Sequence, residues 1–99
     1  LLESKVDEND YHQSIALISD LFKKAKLVHG DFSEYNIFKT KNGLKLFDLG
    51  SAVDITHPNT MNFLKRDINN ITNFFVKRGL TVENPADILE RITKWALKN

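Results

Sequence analysis

Cysteine is absent from this 99-residue chain, which excludes a disulfide framework and a thiolate metal site. That agrees with a reducing compartment, and a cytoplasmic location is the expectation. Net charge is nearly absent too: 14 basic and 13 acidic side chains leave +1. There is thus no electrostatic case for non-specific binding to nucleic acid or to a membrane surface. No apolar run approaches the roughly 20 residues that span a bilayer, so no membrane partner is expected. The first ten residues include Glu3, Asp7, Glu8 and Asp10, which does not read as a secretory leader. Glycine numbers four and never gathers into a phosphate-cradling loop. Internal repeats and low-complexity stretches are also lacking.

What remains suits one small soluble domain with one core, 1–99, with 41% apolar and 27% charged residues. Residues 1–10 are mostly polar and read as a connection, with Asn9 or Asp10 capping the helix that follows. From Tyr11 to Lys26, Ile15, Ile18, Leu21, Phe22 and Ala25 recur at helical spacing. Leu27 and Val28 make a short apolar step into a loop at His29–Asn36. Ile37–Lys39 and Leu44–Phe47 read as two short strands, and Asn42-Gly43 between them is a hairpin signal because both tolerate positive φ. A helix over about Asn59–Arg78 carries the stripe Met61, Leu64, Ile68, Ile71 and Phe75, and Gly79 is placed to end it. Asn84-Pro85 is a cap followed by a first-turn proline, opening a last helix with Ile88, Leu89, Ile92, Trp95 and Ala96. The fold class is therefore α+β and mainly helical, with a small β-hairpin.

Chemistry concentrates in residues 29–50. His29-Gly30-Asp31-Phe32-Ser33-Glu34-Tyr35-Asn36 is followed by Leu46-Phe47-Asp48-Leu49-Gly50. Antiparallel pairing places Asn36 at the start of one strand and Asp48 at the end of the other, so the two would meet. A carboxylate and a carboxamide brought together suit magnesium, which favours one or two carboxylates plus phosphate oxygens. Ser33 is a candidate phosphate contact, although its hydroxyl equally suits the loop's own backbone. His29 reads as a packed imidazole bracing the loop rather than a metal ligand, and His12 and His57 as structural or exposed. Lys23, Lys24, Lys26, Lys39, Lys41 and Lys45 form a loose basic group that reads as a solvated face.

The order of these residues resembles the protein-kinase pattern H-R-D-x-x-x-x-N with a later D-F-G, here H-G-D-x-x-x-x-N and D-L-G. The run H-G-D-x-S-E-Y-N is similar to the catalytic loop of the RIO atypical serine/threonine kinases. The stretch His57-Pro58, then Phe63-Leu64-Lys65-Arg66-Asp67-Ile68-Asn69-Asn70-Ile71, then Phe74-Phe75 resembles the same family, closer to its RIO1 branch than to RIO2. The resemblance covers roughly residues 11–95.

It implies Asp31 as the catalytic Asp, Asn36 and Asp48 as ligands of magnesium (or manganese), and ATP as substrate. It also implies Asp48 as an acceptor of phosphate, forming an aspartyl-phosphate. Asp67 reads either as a surface partner of a Lys or Arg or, as the kinase resemblance implies, as an acceptor for backbone amides of the catalytic loop. A strand lysine and a Gly-rich loop do not occur in this stretch. The resemblance therefore implies a kinase C-terminal lobe, with 1–10 leading in from the hinge and an N-terminal lobe as its missing partner. Only Ser51–Pro58 separate Gly50 from the next helix, which leaves no room for a conventional activation loop. The family's setting is maturation of the small ribosomal subunit, so a pre-ribosomal particle is the implied partner. Two other readings are an aminoglycoside- or choline-type phosphotransferase, which shares the H-G-D-x-x-x-x-N motif, and a non-enzymatic binding module. A lobe alone would be poorly active and would expose an apolar face prone to self-association.

Overall fold

Asp7 and Asp10 open the first helix by capping each other. The Asp7 carboxylate accepts the Asp10 N–H at 2.9 Å, and the Asp10 carboxylate accepts the Asp7 N–H at 3.0 Å. This reciprocal box starts α1 (Glu8–Lys24) earlier than the polar composition of 1–10 suggests, and makes Asp7, not Asn9 or Asp10, the cap. Ile15, Ile18 and Phe22 bury its apolar stripe, whereas Ala25 lies beyond the last turn and is exposed. The computed structural model describes residues 6–32, 37–41, 43–46, 50 and 52–98, with the backbone alone at 38 and 95–98.

The next elements are β1 (Leu27–Val28), β2 (Ile37–Thr40), β3 (Gly43–Leu46) and β4 (Val53–Asp54). They are followed by α2 (Thr60–Lys77) and α3 (Pro85–Lys98). Among the described residues the strands form two antiparallel pairs, β1 with β4 and β2 with β3. The Leu27–Val28 step is thus a strand, paired with Val53–Asp54 across a loop too long to read from local turn chemistry. In the hairpin, Thr40 already faces Gly43, so Gly43 belongs to β3 rather than to the turn, while Asn42, the other residue expected to form the reversal, lies outside the described residues.

Two side chains of α1 fasten that hairpin. Gln13 Oε1 accepts the Leu44 N–H at 3.0 Å. Lys39 Nζ lies 2.8 Å from the carboxylate of Asp10, which is 4% exposed. Lys39 therefore belongs to a structural ion pair rather than to a solvated basic face.

Helix α2 crosses the middle of the fold and buries Leu64, Ile68, Ile71 and Phe75. Met61, on the same expected stripe, is 48% exposed because it sits in the first turn, beyond the core. At the other end, Gly79 adopts φ +83°, its N–H meets the Val76 carbonyl, and the Leu80 N–H meets the Phe75 carbonyl. That is the paired closure a left-handed glycine permits. Asn84 Oδ1 caps α3 through the Ala86 N–H at 2.8 Å, as the Asn-Pro pair suggests, and Ile88 and Ile92 complete the core. Trp95 and Ala96 belong to α3, and their side chains lie outside the described residues.

Candidate active site

Among the described residues of the loop after β1, the N–H groups of Gly30, Asp31 and Phe32 are each held by a side chain. The loop's buried anchors are His29, 2% exposed, and Phe32, fully buried, which meet edge to face with ring centroids 5.9 Å apart. His29 Nδ1 accepts the Asp31 N–H at 3.1 Å, so that nitrogen carries no proton and the imidazole braces the turn. Gly30 between them has φ +85°, a conformation that a side chain would strain.

From α2, Asp67 reaches the same turn. Its Oδ2 accepts the Gly30 N–H at 2.9 Å and its Oδ1 accepts the Phe32 N–H at 3.0 Å. Asp67 is 1% exposed, and burial lifts its carboxyl above the ordinary range, against the opposing pull of those two amides and of His29 and Arg66. Of the two roles open to Asp67 in the sequence, the structure gives it the loop-bracing one. The neighbouring Arg66 donates from its guanidinium to the Gly30 carbonyl. The Gly30 peptide group is therefore gripped on its N–H by Asp67 and at its carbonyl by Arg66. Sequence reasoning missed the Arg66 contact. The available signal was a long cation next to the Asp aimed at the loop.

This clamp leaves Asp31, the next residue, exposed at the edge of an open cleft of about 500 Å³. Gly30, Val53, His57, Phe63, Arg66 and Asn70 line the rest. His57 Nδ1 accepts the Asn59 N–H at 3.1 Å, and the Thr60 hydroxyl donates to the His57 carbonyl at 2.7 Å, which fixes the turn into α2. Asp54 supports the same turn by accepting the Thr56 N–H and hydroxyl, which hold its carboxyl below the ordinary range.

Ser33, Asn36 and Asp48 lie outside the described residues, as do Glu34 and Asn42. What the structure fixes beside them is the end of the hairpin. Ile37 pairs with Leu46, so the segments leading to Asn36 and to Asp48 depart from one pair of facing residues. Ile37 is fully buried, which ties that end to the core.

The sequence model of the RIO domain family matches residues 2–88. The probable serine/threonine-protein kinase RIO1 homolog of Encephalitozoon cuniculi is 41% identical over 86 residues, covering 87% of this chain and 22% of that protein. Serine/threonine-protein kinase RIO1 of Homo sapiens is 32% identical over 93 residues, covering 94% of this chain and 16% of that one. The Rio2 kinase of Chaetomium thermophilum, solved as an ADP/Mg2+-phosphoaspartate complex, superposes with a TM-score of 0.66 at 28% identity, covering 89% of this chain and 31% of that chain. The chain thus spans about a fifth of the length of these curated relatives.

Proposed function

This chain belongs to the RIO domain family, whose relatives are serine/threonine-protein kinases, and on that premise we propose that it forms the catalytic-loop half of an ATP- and magnesium-dependent phosphotransferase. It corresponds to the C-terminal lobe, and a nucleotide-clamping N-terminal lobe completes the enzyme. The observation that carries the reading is the two-sided grip on Gly30, which presents Asp31 at the mouth of the cleft. Catalysis of phosphoryl transfer is mostly positioning and charge stabilisation, so a carboxylate on a rigid loop is what the reaction requires.

Asn36 and Asp48 are the residues that would hold magnesium. They are hard oxygen donors of the kind magnesium prefers, and in sequence they lie one and two residues from the paired Ile37 and Leu46, which supports assigning both to one ion. When bound, the ion neutralises charge on the β- and γ-phosphates. Asp31 orients the attacking hydroxyl or water and takes its proton. Ser33 contributes a hydroxyl toward the phosphates.

Asp48 also acts as the nucleophile. Its carboxylate oxygen forms a bond to the γ-phosphorus as the bond to the β-phosphate oxygen breaks and ADP leaves. Water then attacks that phosphorus, gives its proton to Asp31 and releases inorganic phosphate. The phosphoaspartate in the related Rio2 kinase complex supports this reading. The physiological setting we propose is the cytoplasm, on precursors of the small ribosomal subunit. The test is magnesium-dependent ATP hydrolysis by the longer protein. Asp31→Asn and Asp48→Asn should each lower turnover by at least about 10²-fold. Full turnover in Asp48→Asn would remove both roles assigned to that residue.

A further inference from the structure

We propose that the outward face of α2 is a docking surface for an acidic amphipathic helix of another protein. Such a partner is independent of the phosphotransferase chemistry. Among the described residues the exposed large apolar side chains are Met61, at 48%, and Val76, at 50%. One exposed apolar residue needs no explanation. These two, however, lie on one helix, about four turns and 22 Å apart and within about 60° of each other around its axis. Between them the same face carries Asn62, Lys65, Asn69 and Asn73, and it ends at Lys77. The helix has one acid, Asp67, which is turned into the core at 1% exposure. The outward face of α2 is therefore free of acids. Neither Lys65 nor Lys77 belongs to an ion pair among the described residues.

A groove of about 310 Å³ runs beside this face, where α2 meets the start of α3. Lys65 and Asn69 form one wall and Pro85, Ala86 and Leu89 the other, with Asn84 at the turn. Lys65 is the one charged group among the described residues lining it. Asn84 Oδ1 accepts the Ala86 N–H, which leaves the Asn84 amide N–H groups as donors. A glutamate side chain suits that groove: its methylenes rest on Pro85 and Leu89, and its carboxylate meets Lys65. Apolar residues of the same partner cover Met61 and Val76 at the two ends, so the contact joins charge complementarity to apolar anchors. A second copy docked about a two-fold axis would set this face against itself, with lysine meeting lysine. A single RNA strand would use the lysines but leave Met61 and Val76 idle, and Phe63 is already taken by His57 and Arg66 rather than open to a base.

The experiment measures binding to the full-length protein of a fluorescent helical peptide of about 18 residues, with leucines about four turns apart and glutamates between them. A version with lysine for glutamate, a version with serine for leucine, and an oligouridine serve as the other probes. The glutamate–leucine peptide should bind at least about tenfold more tightly than either altered version. Lys65→Glu should weaken it about tenfold, and Val76→Ser about fivefold. Thermal melting checks the fold of both variants. If Lys65→Glu melts early, Lys77→Glu brings the same charge to the far end of the face and is read in the same way. Equal affinity for the three peptides, no binding of any, tighter binding of oligouridine, or unchanged affinity in the variants would each overturn the proposal. So would self-association of the protein in sedimentation that Lys65→Glu abolishes, since a second copy would then be the occupant.

Discussion

Asp67 accepts the backbone N–H of Gly30 at 2.9 Å across 37 residues of sequence, and that bond joins the central helix to the loop that presents Asp31. Two buried amides share one carboxylate there, so replacing it with a methyl group orphans both. Asp67→Ala should cost about 3 kcal/mol in denaturant unfolding, from two buried donors at roughly 1–3 kcal/mol each with partial relaxation. A loss under about 0.5 kcal/mol would mean that the loop is held elsewhere.

The pH dependence of that residue has a definite sign. Because burial raises the Asp67 pKa above the unfolded 3.8, the folded state binds its proton more tightly. Its contribution to stability therefore grows as pH falls through the folded value toward 3.8, and is lost as pH rises through the folded value. The stability gap between wild type and Asp67→Asn should widen over that descent. Glu83 runs the opposite way. A hydrogen bond from Arg91 holds its carboxyl below 4.5, so its contribution is present above that value and is lost as pH falls through the folded pKa. At 40% side-chain exposure the pair contributes under about 0.5 kcal/mol.

Gly43 tests how the hairpin is seated. It has φ +106°, and an added Cβ would lie 2.9 Å from Gln13 Oε1. Gly43→Ala should destabilise the fold by more than about 1 kcal/mol. Adding Gln13→Ala should recover little or none of the loss, since it relieves the contact but gives up the bond to the Leu44 N–H and leaves the backbone strain. Full rescue would show that the conformation carries no cost.

Much of the architecture was legible because it rests on local patterns. The three helices follow from stripes such as Leu64, Ile68, Ile71 and Phe75. The end of α2 follows from Gly79, the start of α3 from Asn84-Pro85, and the hairpin from two short strands around a turn. The Asp7–Asp10 box was masked by the polar run around it. The β1–β4 pair joins residues 27 apart at Leu27↔Asp54, and each strand has only two residues, too few for periodicity to show. The roles of Lys39, Gln13 and Arg66 depend on what lies opposite them in space. A surface-type composition hides that, because a long polar side chain reads alike whether it meets water or a buried partner.

The seat of the hairpin gives a functional prediction. Asp10 closes the cap of α1 and holds Lys39 of β2. Asp10→Ala should lower stability by about 1 kcal/mol through the lost capping box. In the longer protein it should also raise the magnesium concentration needed for half-maximal ATP hydrolysis, because β2 leads back to Asn36. An unchanged magnesium dependence would separate the α1 contact from the metal residues.

The most direct measurement is mass spectrometry of the full-length protein after incubation with ATP and magnesium, read peptide by peptide before and after hydroxylamine. The account predicts one hydroxylamine-labile phosphate on Asp48, absent from Asp48→Asn and accumulating in Asp31→Asn as its hydrolysis slows. Sustained ATP hydrolysis with no such phosphate, or the phosphate on another aspartate, would contradict it.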